Sequence, residues 1–180
     1  MKPTRNPQKK LNLSQLIAEA LSFTKSYYGI TAQYPAPAII IDQRPSPAYI
    51  HNTNAIHLLS DYKDREQAFA IGEEASHYWH RWENPSLNEE LLELQKIIAE
   101  HSRTDKSPEE KMKIVARWIS IRTLQELVGC LGGIGFTAHK KEDIKKIFKA
   151  VEHMKLTDSP PGTEILEHYL GYKMAIEAYQ

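Results

Sequence analysis

The chain has 180 residues, of which 41% are hydrophobic and 26% charged, a composition that predicts one folded domain with a sizeable core. Lys plus Arg and Asp plus Glu both number 23, so the formal net charge is zero and the basic surface of a nucleic-acid binder is not expected. A single cysteine, Cys130, excludes a disulfide within the chain, and no apolar run approaches the ~20 residues of a membrane helix. We therefore expect a cytoplasmic protein that binds neither nucleic acid nor membrane.

The first third of the chain combines one helix with short strands. Residues 1–10 are predicted to form a flexible N-terminus, and residues 11–180 a single domain. Apolar residues recur at helical spacing from Leu13, and Gly29 is expected to end that helix. A small sheet of about three strands is predicted from β-rich runs between turn residues, at 37–42, 48–51 and 55–60.

From residue 61 onward the pattern is helical. Ser107 followed by Pro108 and two glutamates is a strong helix start. Gly132 and Gly133 are expected to break that helix. The predicted helices lie at 64–82, 87–103, 107–131, 140–155 and 164–179. The fold class is therefore α+β, mostly helical, with a small N-terminal sheet.

The stretch "GEEASHYWH" (72–80) collects ionisable residues on one predicted helix. Glu73, His77 and His80 stand at i, i+4 and i+7, which places them on one face, while Glu74 lies about 100° round the helix. A carboxylate and an imidazole one turn apart can form half of a metal site. An isolated Glu/His pair is more often part of a solvated face, so both interpretations stay open at this point.

Glu126, on the helix that begins at Ser107, could likewise be either a metal ligand or an ordinary structural residue. Val115, Ile119, Arg122 and Glu126 form a stripe at spacings of 4, 3 and 4 residues, so Glu126 points near the apolar face, where an unpaired carboxylate is costly. It either pairs with Arg122 one turn earlier or faces His77 as a metal ligand. Both roles can hold together.

The order of these elements resembles that of the zincin metallopeptidases, in particular their small gluzincin-like members. In that family a helix and a small sheet precede a helix with an H-E-x-x-H motif, and a later helix supplies a glutamate ligand. Aligned on the motif, this chain reads E-E-x-x-H. The resemblance implies Glu73 and His77 as metal ligands, Glu74 as the catalytic base and Glu126, in "RTLQELVGCLGG", as the third ligand.

The glutamate at position 73, in place of the first histidine of the family motif, changes which metal and which activity are expected. A Glu-His-Glu ligand set is more anionic than His-His-Glu, so it favours zinc less and Mn²⁺ or Fe²⁺ relatively more. His80, one turn after His77, could supply a substitute nitrogen. The resemblance implies a metal-dependent peptidase or other hydrolase that binds a peptide or protein at an edge strand, 55–60. The replaced ligand leaves open the alternative of a non-catalytic binding or regulatory module, with or without a metal.

The other candidate residues have ordinary explanations. Cys130 is expected to be a small core residue, and the glycines of "GCLGGIGF" are expected to allow close helix packing and to cap a helix rather than to form a phosphate loop. His51 and His57 could line a cleft but are more typical of strand faces. A ferritin-like di-iron site needs a second E-x-x-H motif, which the chain lacks.

Overall fold

The computed structural model describes residues 13–42, 47–59, 67–100, 106–154 and 164–180. The predicted flexible N-terminus lies outside these residues. The element order is α1 (Leu13–Tyr27), β1 (Ala38–Asp42), β2 (Ala48–Ile50), a 3-10 turn (His51–Thr53), β3 (Ala55–Leu59), α2 (Gln67–Glu83), α3 (Pro85–Ala99), α4 (Pro108–His139), α5 (Lys145–His153) and α6 (Glu164–Tyr179). The described chain is thus mostly helical with one three-stranded sheet, which confirms the α+β prediction.

The predicted helix start at Leu13 and the three predicted strands are confirmed, but the predicted edge strand is wrong. Strand β3 is the central strand, parallel to β1 on one side and antiparallel to β2 on the other. Its residues Ala55, Ile56 and Leu58 are buried, as expected for a strand that is paired on both sides. The 3-10 turn and Asn54, which has a left-handed φ of 45°, fold β2 back against β3. Strand β2 is therefore the edge strand next to α2.

Helix α4 begins as predicted but does not end at Gly132 and Gly133. A capping box closes its N-terminus, in which Ser107 and Glu110 exchange hydrogen bonds with each other's backbone. The helix then continues to His139, because α2 packs directly on the glycines. A Cβ on Gly132 would lie 1.7 Å from Ser76 Oγ, and one on Gly72 would lie 2.9 Å from the Gly132 carbonyl oxygen. This close contact outweighs the ~1 kcal/mol per residue that glycine costs in a helix.

The remaining helices cover the same core. Helix α3 begins at Pro85, two residues before the predicted start, and α5 is shorter than predicted. The residues between α4 and α5 form a turn in which Lys141 has a left-handed φ of 58° and Asp143 Oδ1 accepts a hydrogen bond from the Lys145 amide. Helix α6 has the predicted bounds. Within the described ranges, no helix combines the length and the apolar character needed to cross a membrane.

Three groups of buried apolar side chains hold the elements together. The first joins α1, the sheet and α2 through residues such as Ile17, Ile56 and Ile71. The second joins α4, α5 and α6, and includes Cys130, which is fully buried as expected. The third joins α3 to α4. Because α4 belongs to all three of these groups, to the first through Phe136, it forms the platform on which α2 and α6 meet.

Candidate metal centre

Helix α2 carries charged side chains into the interior. Its apolar residues, among them Ala68, Ile71 and Ala75, face the first core group. Glu73 and Glu74 lie on a different face, yet they are only 8% and 6% exposed. Buried carboxylates are costly unless they are paired or hydrogen-bonded. Both side chains therefore need partners that offset the cost of their burial.

Glu73, His77 and Glu126 come together in the structure. Each offers one ligand atom, and these atoms all lie within 4.8 Å of one another, close enough to hold one metal ion. The distance from His77 Nε2 to Glu126 Oε2 is 3.8 Å. Two residues come from α2 and one from α4, so two packed helices define the geometry. The predicted approach of Glu126 to His77 is confirmed.

Glycines make the approach of the helices possible at this point. A Cβ on Gly129 of α4 would lie 2.6 Å from both Cε1 and Nε2 of His77. A Cβ on Gly171 of α6 would lie 2.6 Å from the Cβ of Glu126. Any larger residue would displace one of the clustered side chains, so Gly129 and Gly171 are required by the packing of this site.

Neighbouring groups hold the three glutamates in place. The Tyr172 hydroxyl donates a hydrogen bond to Glu73 Oε1, and the backbone amide of Tyr49 on β2 donates to Glu74 Oε2 at 2.5 Å. Arg122 Nη2 donates to Glu126 Oε1 at 2.9 Å, which is the predicted ion pair. Glu126 therefore pairs with Arg122 and also faces His77.

The second oxygen of Glu126 has a different environment. Glu126 is 2% exposed, and among the described residues no hydrogen bond satisfies its Oε2 atom. Two imidazole nitrogens lie near this oxygen, His168 Nε2 at 3.1 Å and His77 Nε2 at 3.8 Å. A buried carboxylate oxygen without a hydrogen bond, beside two imidazoles, is the environment that a bound cation would complete.

Burial and mutual repulsion shift the acidities of the site. Burial, followed by the negative charge of Glu74, raises the pKa of Glu73 well above its usual range, although the Tyr172 hydroxyl opposes this shift. Burial raises the pKa of Glu74 to about 8, against the opposing hydrogen bond from Tyr49. Burial lowers the pKa of His77, so its imidazole is neutral near pH 7, the form that ligates metals.

The cluster lies on the wall of a cleft of about 640 Å³. This volume is within the usual range for sites that bind small molecules. One side is formed by β2 and the turn after it, and the other by α4 and α6. The lining includes Ala48, Tyr49, His51, Glu73, Glu74, His77, His80, Arg81, Arg122, Glu126, His168 and Tyr172.

Of the other predicted residues, three line the cleft and one does not. Glu74 lines the cleft but is not one of the three clustered ligands. His80 also lines the cleft, yet its imidazole lies outside the cluster, and burial lowers its pKa to about 4. His51 lines the cleft and accepts a hydrogen bond from Arg81 Nε at 2.5 Å. His57 is buried on β3 and does not line the cleft.

Sequence reasoning missed the contribution of α6. His168 and Tyr172 are one turn apart, so they share a helix face, and both reach the cluster. The signal was available in "HYLGY", a histidine and a tyrosine at i and i+4 beside a glycine. Nothing in that spacing alone points to a metal, because the pair gains its meaning only from the packing of α6 on α4.

No protein-family model, curated protein or solved structure matches this chain. The zincin resemblance therefore stays a prediction.

Proposed function

We propose that this protein is a metal-dependent hydrolase of the zincin type, which acts on peptide bonds. The observation that supports this most strongly is the cluster of Glu73, His77 and Glu126 on the wall of a cleft large enough for a short peptide. The order of α1, the sheet, α2 and α4 is also the order that the zincin resemblance requires.

The residues present fit a divalent cation. Glu126 Oε2 is a buried oxygen without a hydrogen bond among the described residues, and Glu73 and His77 direct further donors to the same point. Two carboxylates and one imidazole form a hard ligand set, which suits Mn²⁺, Fe²⁺ or Zn²⁺. When bound, such an ion polarises the scissile carbonyl and makes water a stronger nucleophile at neutral pH.

Glu74 is the base in this proposal. Its carboxylate lines the cleft, and the Tyr49 amide holds one oxygen, so the other oxygen can accept a proton from the attacking water. The same group then returns the proton to the leaving amine. Burial raises the pKa of Glu74, which makes its carboxylate a stronger base than that of an ordinary glutamate and, once protonated, a competent acid for the second step.

Strand β2 is the surface that an extended substrate would use. Its inner edge pairs with β3, while Ala48 and Tyr49 line the cleft on the other side. An extended peptide would lie along this side of β2 and pass beside Glu74; because the Tyr49 amide already donates to Glu74 Oε2, the peptide would be held by the side chains of the cleft and not by that amide. The strand has only three residues, so it favours short substrates or a short segment of a longer one.

Metal-dependent stability and peptide hydrolysis test the proposal together. Protein stripped with a chelator receives Mn²⁺, Fe²⁺ or Zn²⁺, and its melting temperature is recorded for the wild type, His77→Ala and Glu74→Gln. The right ion at about 100 times its dissociation constant stabilises the wild type by ~2.7 kcal/mol, or roughly 5–11 °C. His77→Ala loses this shift. Glu74→Gln keeps it but loses cleavage of a fluorogenic peptide library.

One observation favours a second candidate, the non-catalytic module. Glu73 and Glu74 each accept a hydrogen bond from the protein, from Tyr172 and Tyr49, an arrangement that stabilises both side chains without a metal. Under this alternative no ion shifts the melting temperature. Peptides then bind at β2 without being cleaved.

A further inference from the structure

The cluster contains one imidazole where the resembled motif has two, because Glu73 takes the place of the first histidine. We propose that His168 of α6 is a fourth ligand and supplies the second imidazole of the metal centre. This inference rests on the metal site of the proposed function. It concerns the ligand set alone and does not depend on hydrolysis.

The position of His168 Nε2 carries the inference. It lies 3.1 Å from Glu126 Oε2, the buried oxygen that no described residue satisfies with a hydrogen bond. Ligand atoms about 2.0–2.2 Å from one ion lie about 2.8–3.6 Å from their neighbours in octahedral or tetrahedral geometry. The separation of His168 and Glu126 is within that range, whereas the 3.8 Å between His77 Nε2 and the same oxygen needs a small contraction.

His168 has to move to join the other ligands. His168 does not belong to the group of three residues whose ligand atoms all lie within 4.8 Å of one another. Its ring therefore has to move toward Glu73 and His77 before one ion can contact all four residues. The side chain is 40% exposed and lines the cleft, and the movement would change its present contacts, which include the Tyr172 ring at 5.8 Å between centroids. The exposure also allows small molecules to reach this position.

The packing of α6 directs His168 to this point. Gly171 lets α6 approach Glu126 so closely that a Cβ there would overlap the Cβ of the glutamate. Tyr172, one turn after His168, donates a hydrogen bond to Glu73. One face of α6 therefore presents two groups to the cluster, one to each glutamate ligand.

His80 is the competing source of a second nitrogen, and the structure disfavours it. His80 is 9% exposed and, like His168, lies outside the ligand cluster, but among the described residues it forms no ion pair with Glu126, whereas His168 Nε2 lies 3.1 Å from Glu126 Oε2. A ligand from α6 adds a third helix to the site. With His168, the ligand set becomes two imidazoles and two carboxylates, which binds zinc better than a set with one nitrogen.

Copper binding to the wild type tests the inference without any substitution. Cu²⁺ is added to the chelator-stripped protein, and pulsed electron paramagnetic resonance counts the coordinated imidazoles through their remote nitrogens. We expect two imidazoles in the wild type. A count of one overturns the inference.

Matched variants identify the second imidazole. His168→Ala is expected to reduce the count to one and to weaken Zn²⁺ binding by at least about 10-fold in calorimetry. His80→Ala removes an imidazole from the same cleft and should change neither quantity. His168→Gln serves as a second variant if the alanine protein does not fold. Added imidazole should restore both the count and Zn²⁺ affinity in His168→Ala, because the vacated position is open to the cleft.

The outcomes separate this inference from the proposed function. If His77→Ala abolishes Zn²⁺ binding while His168→Ala and His168→Gln bind as tightly as the wild type, His168 is not a ligand and the three-residue site remains. If His168→Ala still shows two imidazoles and His80→Ala shows only one, the second nitrogen comes from His80 of α2, and the inference is overturned. If no variant differs from the wild type, or the wild type binds neither ion, both proposals fail.

Discussion

Gly129→Ala tests whether the position of His77 matters for metal binding and not for the fold. The new Cβ would lie 2.6 Å from Cε1 and Nε2 of the imidazole. Ordinary van der Waals contact begins at 3.4 Å, so the ring has to shift by about 0.8 Å. Metal–ligand distances tolerate only about ±0.2 Å. We therefore expect metal affinity to fall by at least about 10-fold.

The stability of the metal-stripped variant should change little. Alanine gains up to ~1 kcal/mol over glycine inside a helix, and an off-rotamer imidazole costs of order 0.5–1.5 kcal/mol. The two contributions nearly cancel, so the melting temperature stays within about 4 °C of the wild type. At an ion concentration 100 times the wild-type dissociation constant, stabilisation falls from ~2.7 to ~1.4 kcal/mol for a tenfold weaker site.

The assay is thermal unfolding with and without the ion, compared with calorimetric titration. Gly135→Ala is the matched control, because Gly135 lies on the same helix and its Cβ would come no closer than 3.3 Å to a neighbour, the Tyr27 ring. The control should bind metal as the wild type does. If Gly129→Ala folds and binds metal with wild-type affinity, His77 is not a ligand and the reasoning is refuted.

Three further changes test other parts of the account. Glu73→His should raise zinc affinity, because an imidazole replaces a carboxylate beside His77; a folded variant that binds zinc no better by calorimetry would show that position 73 does not face the ion. The raised pKa of Glu74, about 8, means that the folded state binds its proton more tightly than the unfolded chain does. Stability of the stripped protein should therefore fall as the pH rises toward about 8, by up to about 1.4 kcal/mol per pH unit for this group. Denaturant unfolding is measured between pH 6.5 and 8, above most of the range in which His80, whose pKa burial lowers to about 4 from 6.5, gains protons on unfolding. The pKa of Glu73 is raised by burial as well and contributes to the slope, so Glu74→Gln should reduce the slope without removing it, and an unchanged slope would contradict the prediction. Gly72→Ala places a Cβ 2.8 Å from Phe136 Cβ and 2.9 Å from a backbone oxygen of α4, so α2 and α4 have to separate, and urea unfolding should show a loss of about 1–3 kcal/mol. A neutral or stabilising effect would mean that the two helices do not pack this closely.

Local sequence patterns predicted the helices and strands but not which of them pack against each other. β-rich runs and the turn residues between them predicted all three strands, since both signals are local in the sequence. The order of the strands depends on how the chain folds back through Asn54, which no pattern within a single strand shows. The sequence therefore predicted β3 as the edge strand, whereas β2 is the edge strand beside the cleft. Gly132 and Gly133 were assigned as a helix end by local preference, whereas their packing on α2 keeps them helical.

The candidate site was predictable where its residues follow a spacing rule. Glu73 and His77 are one turn apart on one helix, and Glu126 interrupts an apolar stripe on another. Tyr172 and His168 could not be assigned from the sequence, because their role depends on α6 packing over Gly171. His80 follows the helical spacing as well as His77 does, yet its ring lies outside the cluster.

Anomalous X-ray diffraction from crystals soaked with zinc or manganese tests the metal centre most directly. The account predicts one strong peak about 2.0–2.2 Å from ligand atoms of Glu73, His77 and Glu126. A peak bound only by other residues, or no peak at this cluster at an ion concentration that saturates the protein in solution, would contradict it.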